Sequence, residues 1–179
     1  LSNSQILELG YGNGRDACFF CNNNNNVIAV DQNTVIPNNT NDQIKYFINK
    51  NKLKILTDNF VKLDFSIFPN INVFYSRFTM HSITEDDENR VLLNIYNKLE
   101  KNGLFCIEAR TTKDSLYGIG ELKGKDAFFT DHYRRFINSQ LFIKKVMNIG
   151  FEINFFQEKN GLSIYKGDDP VLMRIVLKK

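Results

Sequence analysis

The residues with the clearest chemical meaning stand together near the start of the chain, as Glu8-Leu9-Gly10-Tyr11-Gly12-Asn13-Gly14. Glycines at alternate positions let the chain turn tightly and bring backbone N–H groups against a ligand. An acid, Asp31, closes the next apolar run, residues 27–30, where its carboxylate can accept from two ribose hydroxyls. Together these features make a nucleoside-binding signature. A dinucleotide loop, G-x-G-x-x-G, would place its third glycine where Arg15 stands. The spacing here is G-x-G-x-G, and Glu8 beside it opposes a pyrophosphate while suiting a cationic ligand. Both features argue against a nicotinamide dehydrogenase.

A second group of candidates lies downstream. The chain has two histidines, His81 and His132, and each is a potential general base. His132 sits in Thr130-Asp131-His132-Tyr133-Arg134-Arg135. It reads either as a base or substrate contact, or as part of the first turn of a helix capped by Thr130 or Asp131. Arg134 and Arg135 could hold a phosphate or carboxylate, or form a solvated basic face. His81 reads as a packing or backbone-bonding residue before a base. Glu108 and Arg110 are placed to face a substrate, with an ion pair between them as the structural alternative. Tyr117 can close over the site from a glycine- and charge-rich loop, residues 111–130, read as a lid. Cys18 and Cys21, at i and i+3 of a helix, read as packed free thiols. No further ligands stand at zinc spacing, so a metal-independent reaction is expected.

Short apolar runs at 5–9, 27–30, 54–56, 72–75 and 104–109 predict five strands to position these groups. Helices are predicted between them at 15–21, 40–50 and 85–101, where Val91, Leu92, Ile95 and Leu99 repeat on one face. A further helix at 136–148 precedes two last strands at 151–157 and 171–177. This order predicts an α/β fold: a Rossmann-like, mostly parallel sheet with helices on both faces and an antiparallel addition at its end. No break marks a second domain, so residues 1–179 are read as one. The chain starts at Leu1 without Met and runs straight into an apolar segment. It is therefore expected to be a C-terminal or excised piece of a longer protein.

A net charge of +3, from 23 basic and 20 acidic residues, is too weak to mark a nucleic-acid partner. No apolar run reaches the length of a membrane span. Three cysteines, an odd number, argue against a disulfide framework and for a reducing, cytoplasmic compartment. Of 24 asparagines, five are consecutive at 22–26 and are expected to form a solvent-exposed turn away from the site.

E-L-G-Y-G-N-G-R-D followed by V-I-A-V-D resembles motifs I and II of the class I S-adenosylmethionine-dependent methyltransferases, and the likeness covers nearly the whole chain. The resemblance implies a seven-stranded sheet with an antiparallel last strand, and S-adenosylmethionine as cofactor. It implies that Gly10, Gly12 and Gly14 cradle the methionine and ribose portion beside Glu8, and that Asp31, with Gln32 after it, takes the ribose. Motif III matches Asp58-Asn59-Phe60, with Asn59 in the place of the usual acid beside the adenine, Asp58 as the competing choice and Phe60 next to it. Motif IV matches residues 75–81 and brings Ser76 or Arg77 beside the methionine portion.

Residues 108–118 and 131–136 resemble a bacterial subgroup of these enzymes linked to sugar and polysaccharide modification, sometimes carrying a tellurite-resistance-like label. That implies O-methylation of a sugar hydroxyl, on a nucleotide sugar or glycan of anionic character, and fusion to other glycan-processing domains. His132, Glu108 and His81 would then be the catalytic candidates, and Arg110, Tyr117, Arg134 and Arg135 would bind substrate. The alternatives are a small-molecule methyltransferase of the thiopurine or tellurite type and a non-catalytic cofactor-binding scaffold. Three departures stand out: Tyr11 where a small residue or cysteine is common, Asn59 for the acid, and no helices ahead of motif I.

Overall fold

Strand alternation sets the first element. In Gln5–Leu9 (β1), Leu7 and Leu9 are buried in one core layer and Ile6 in the other, so Glu8 shares the face of Ile6. Six more strands complete the same sheet: Asn26–Asp31 (β2), Leu53–Thr57 (β3), Val73–Arg77 (β4), Leu104–Arg110 (β5), Glu152–Lys159 (β9) and Leu172–Lys178 (β10). The helices are Arg15–Asn22 (α1), Asn38–Asn49 (α2), Glu85–Lys98 (α3) and Ser139–Ile149 (α4). Three short strands, Glu121–Gly124 (β6), Ala127–Phe129 (β7) and Tyr133–Arg135 (β8), form a separate antiparallel ribbon. This computed structural model describes residues 2–33 and 38–179.

The large sheet runs β3-β2-β1-β4-β5-β10-β9, with β10 antiparallel to both of its neighbours and the other pairs parallel. The seven strands, the mostly parallel order and the antiparallel last strand agree with the expected fold. One core layer packs α3 (Val91, Leu92, Ile95) and α4 (Phe142, Val146) on the sheet. The opposite layer packs α1 (Ala17, Cys18, Cys21) and α2 (Ile44, Phe47) on Ile6, Ala29 and Val73. Each fully buried Val, Leu, Ile or Phe among them contributes about 1.5–3 kcal/mol by leaving water. Strand order reverses between β1 and β4, so the connections leaving their carboxyl ends pass to opposite faces of the sheet and leave a crevice there.

Three local readings are corrected. Residues 111–130 do not form an open lid, and His132 does not start a helix: the segment folds as the β6-β7-β8 ribbon. Strands of four, three and three residues are too short to show alternation in sequence, and their tight turn uses Asp126 at φ +57. The helix expected from 136 begins at Ser139, because Ile137 bridges to Thr111 and Asn138 caps the helix by accepting from the Leu141 N–H at 3.1 Å.

The asparagine run is also more than an exposed turn. Asn24 takes the left-handed conformation at φ +58, and Asn25 is 1% exposed. The Asn25 amide donates to the Phe20 and Asn23 carbonyls, and its Oδ1 accepts from the Ser4 N–H. It thereby ties the end of α1 to the approach into β1.

Candidate functional site

The glycine turn leaves β1 at the crevice. Gly10, Gly12 and Gly14 have φ of +78, +52 and +74, the left-handed region that favours glycine. Their surroundings divide their roles. A Cβ on Gly10 would lie 2.1 Å from Cγ2 of Thr79, and one on Gly14 would lie 2.5 Å from Cδ1 of Ile44. Gly10 therefore lets the loop after β4 approach, and Gly14 lets α1 settle against α2. A Cβ on Gly12 would meet nothing within 4 Å. Gly12 lines an open cavity of about 490 Å³, together with Glu8, Gly10 and Asn13. That volume lies within the range of small-molecule sites.

Asp31, at the end of β2, is fixed by two backbone donors. Its Oδ2 accepts from the Gly12 N–H and its Oδ1 from the Asn33 N–H, both at 2.9 Å. Each carboxylate oxygen keeps a second lone pair for a ligand hydroxyl. Gln32 is exposed beside it. Along β3's exit, Asp58 accepts from the Asn59 N–H at 2.6 Å and Asn59 accepts from the Val61 N–H at 2.9 Å. Phe60 is buried in the α3 and α4 core layer. None of Gln32, Asp58, Asn59 or Phe60 lines this cavity.

Glu8 is the unusual group of the site. It is 2% exposed and lines the cavity. Among the described residues, its buried Oε2 has no hydrogen-bond partner. Burial, then the nearby Asp16 and Asp31 carboxylates, push its pKa up to about 8, against a weaker opposing pull from Arg77. A buried acid without a partner is costly, and a ligand carrying positive charge would supply that partner.

The opposite wall comes from β4, β5 and the connection between β9 and β10. Arg77, at the end of β4, donates to Glu108 at 2.9 Å, Asp16 at 3.2 Å and the Ser163 hydroxyl at 2.7 Å. Phe78 follows at φ +58, a strained conformation for a bulky residue, and the Arg77 guanidinium lies over its ring at 5.2 Å. Arg110 closes on Asp114 through both carboxylate oxygens at 3.1 Å and reaches Asp168 with its other nitrogen. The tip of the β9–β10 connection is a tight turn in which Tyr165 and Asp168 exchange backbone hydrogen bonds, with Lys166 and Gly167 at positive φ. It holds the exposed Ile164 and Tyr165 at the cavity mouth. Arg77–Ser163 and Arg110–Asp168 thus tie this tip to the sheet. Asp168→Asn is expected to cost less than about 1 kcal/mol of global stability, since Asp168 is half exposed. It should raise amide hydrogen exchange at Tyr165 and Asp168, read by mass spectrometry. Unchanged exchange there would contradict the tie.

The downstream candidates are placed elsewhere. Glu108 does not pair with Arg110; it is buried between Arg77 and Arg174, so both oxygens are committed. His81 is buried, its Nδ1 accepting weakly from the Arg110 N–H at 3.4 Å, and burial followed by nearby cations pushes its pKa down to about 3. His132 is half exposed on the ribbon, between Asp131 at 2.9 Å and Arg134 at 2.8 Å. Arg135 is buried and donates to the Ile83 and Met80 carbonyls and to Glu88, which is itself 1% exposed. Tyr117 donates to Asp126 at 2.7 Å and packs edge-on against Phe128 and Phe136. Ser76 is fully buried and shares a hydrogen bond with Thr79, which donates to the Leu9 carbonyl at 2.9 Å. Of the downstream residues named from sequence, Arg77 and Arg110 line the cavity.

Asp16, Phe78, Ser163 and Tyr165 escape the sequence reading. The one available signal was the Lys166-Gly167-Asp168 turn pattern. Among the described residues no group of three or more His, Cys, Asp or Glu side chains could hold a metal, and no helix is long and apolar enough to cross a membrane. The three cysteines are free, with Cys18 and Cys21 packed as expected.

A scan of protein-family models and a search of curated proteins find no match to this chain. Solved structures do match it. A SAM-dependent methyltransferase from Methanosarcina mazei is 14% identical, with a TM-score of 0.79 over 100% of this chain and 94% of that one. The 1,6-didemethyltoxoflavin-N1-methyltransferase from Burkholderia thailandensis, solved with 1,6-didemethyltoxoflavin and S-adenosylhomocysteine, is 15% identical, with a TM-score of 0.74 over 99% of this chain and 72% of that one. The [4+2]-cyclase SpnF is 13% identical, with a TM-score of 0.70 over 99% and 75%. A cyclase among these neighbours illustrates that the architecture does not dictate the reaction. What the likeness establishes is the fold: this chain has the Rossmann-like architecture of the SAM-dependent methyltransferases.

Proposed function

We propose that the chain is an S-adenosylmethionine-dependent methyltransferase acting on a small-molecule acceptor. The observation that carries this reading is the buried Glu8 carboxyl, whose Oε2 meets no partner among the described residues, beside the Gly10–Gly12 turn that Asp31 holds. A nucleoside that also bears positive charge fits that set. Asp31 would hold the ribose hydroxyls, the turn would seat the methionine portion, and Glu8 would face the positive charge. Bound there, the cofactor supplies a methyl group activated on a sulfonium. The chain's own residues then align the acceptor in line with that methyl and exclude water, a contribution worth several kcal/mol.

The acceptor would enter under Ile164 and Tyr165, against Phe78. A sugar hydroxyl, the acceptor expected from the subgroup resemblance, benefits from a general base. Apart from Glu8, which would face the cofactor's charge, the acids on the cavity wall are committed: Asp16 to Arg77 and the Tyr75 hydroxyl, and Asp168 to Arg110. Arg135, expected to hold an anionic acceptor, is committed to Glu88. These commitments favour an acceptor that is already a good nucleophile, such as a ring nitrogen or thiolate, over a glycan hydroxyl. A fusion to glycan-processing domains loses its main support with that preference.

Calorimetric titration tests the reading. The chain is expected to bind S-adenosylmethionine, and Asp31→Ala is expected to weaken binding roughly 100-fold. That is about 3 kcal/mol for two hydrogen bonds to a charged acceptor. No binding to the unaltered chain, or equal binding to Asp31→Ala, would overturn it.

A further inference from the structure

Glu8 is surrounded by groups that leave its charge poorly compensated. Asp16, Cys18 and Cys21 face it from α1, Asp31 from β2, and Tyr75 and Arg77 from β4. The one cation among them, Arg77, already serves Asp16, Glu108 and Ser163. Glu8 Oε2 is buried and, among the described residues, meets no donor, while the residue borders the cavity. A carboxyl in this position is most stable carrying its proton until a cation arrives.

We propose that Glu8 discriminates the sulfonium donor from its neutral thioether product, by losing its proton when the donor binds and holding it more firmly when the product is present. The inference rests on the function proposed above and adds to it. Methyl transfer removes one positive charge from the cofactor. The same cavity then holds a carboxylate with one cation fewer against it, and Glu8 regains a proton from solvent while the product is still bound. Donor binding is thereby linked to pH, and product is released from a site that no longer favours it.

The sign follows from the raised pKa, about 8, before the donor binds. Below that pH, donor binding must expel a proton, so affinity rises with pH; above it the dependence levels off. Between pH 6 and pH 7 the association constant for S-adenosylmethionine is expected to rise roughly tenfold, the limit for one proton released. Titration calorimetry in two buffers of different ionisation enthalpy should report about one proton released at pH 6.5, and clearly less with S-adenosylhomocysteine. In Glu8→Gln both ligands should lose this component, and the preference for donor over product should shrink. Comparison with Glu8→Gln also subtracts the titration of the ligand's own amino group.

Folding supplies an independent readout. The raised pKa means that the Glu8 proton contributes stability that is present at low pH and lost as pH rises through about 8. Glu8→Gln should therefore melt higher than the unaltered chain at pH 8.5, a shift that needs no ligand. Donor binding with the same pH profile and proton count in both proteins would overturn the proposal while leaving the methyltransferase reading intact. Equal proton release with donor and product would overturn the discrimination. Failure of the unaltered chain to bind either ligand would remove the reading on which both rest.

Discussion

Gly12→Val is expected to abolish S-adenosylmethionine binding, with an affinity loss above roughly 100-fold, or about 3 kcal/mol. Two effects combine. At φ +52 a β-branched residue is strained by roughly 1–3 kcal/mol. Its side chain would also project into the open cavity, because nothing stands within 4 Å of a Cβ there. The turn can relieve the strain only by moving, which withdraws the Gly12 N–H from Asp31 and leaves the ribose acceptor misaligned. Calorimetry with the donor measures the loss. A melting curve on the same sample separates it from unfolding, since the substitution touches no core residue. Near-normal affinity in a folded Gly12→Val protein would show that the ligand does not pass over this turn.

The second large effect concerns stability. Arg135→Met is expected to destabilise the chain by about 3 kcal/mol, because removing one partner of a buried ion pair leaves the other charge uncompensated. Glu88 is 1% exposed, and Lys145 at 2.6 Å would remain as its cation, which places the cost at the lower end of that range. The Ile83 and Met80 carbonyls would each lose a donor as well. For a chain of this length the melting temperature should fall by roughly 6–12 °C. Replacing the pair together, Arg135→Met with Glu88→Leu, should recover much of the loss. A melting temperature unchanged in Arg135→Met, with a raised KM for acceptor, would return Arg135 to the substrate-binding role read from sequence.

The parts of the molecule that were legible in sequence are those written in contiguous residues. The run from Gln5 through the glycine turn to Asp31 is local: each element follows the last, and Asp31 meets Gly12 across 19 positions. Short apolar runs marked the strands of the large sheet, and Gly150 closes α4 in the left-handed conformation that favours glycine. The far wall of the cavity was not legible. It depends on Arg77 meeting Ser163 across 86 positions and Arg110 meeting Asp168 across 58. Nothing in the polar connection between β9 and β10 announces which arginine each residue will meet.

The charged candidates were misread for a related reason. A sequence shows that Glu108, Arg110 and Arg135 carry charge near strand ends, but not that each is committed to a partner on another element. Glu108 lies one strand from Arg77 on one side and one strand from Arg174 on the other. The parallel and antiparallel registers, not the sequence neighbourhood, decide those pairs. The asparagine run shows the converse. A segment that looks like tolerated composition carries one residue, Asn25, that joins α1 to the start of β1 through its side chain.

The proposed function turns on whether a charged nucleoside seats between the glycine turn, Asp31 and the β9–β10 tip. A crystal structure of the chain with S-adenosylhomocysteine tests this most directly. The expected result is ribose hydroxyls within hydrogen-bonding distance of the Asp31 carboxylate, the homocysteine portion over Gly10 and Gly12, and its sulfur turned toward the mouth beneath Ile164 and Tyr165. Ligand density elsewhere on the molecule, or a glycine turn that leaves Asp31 bonded to Gly12 and Asn33 alone at saturating ligand, would contradict it.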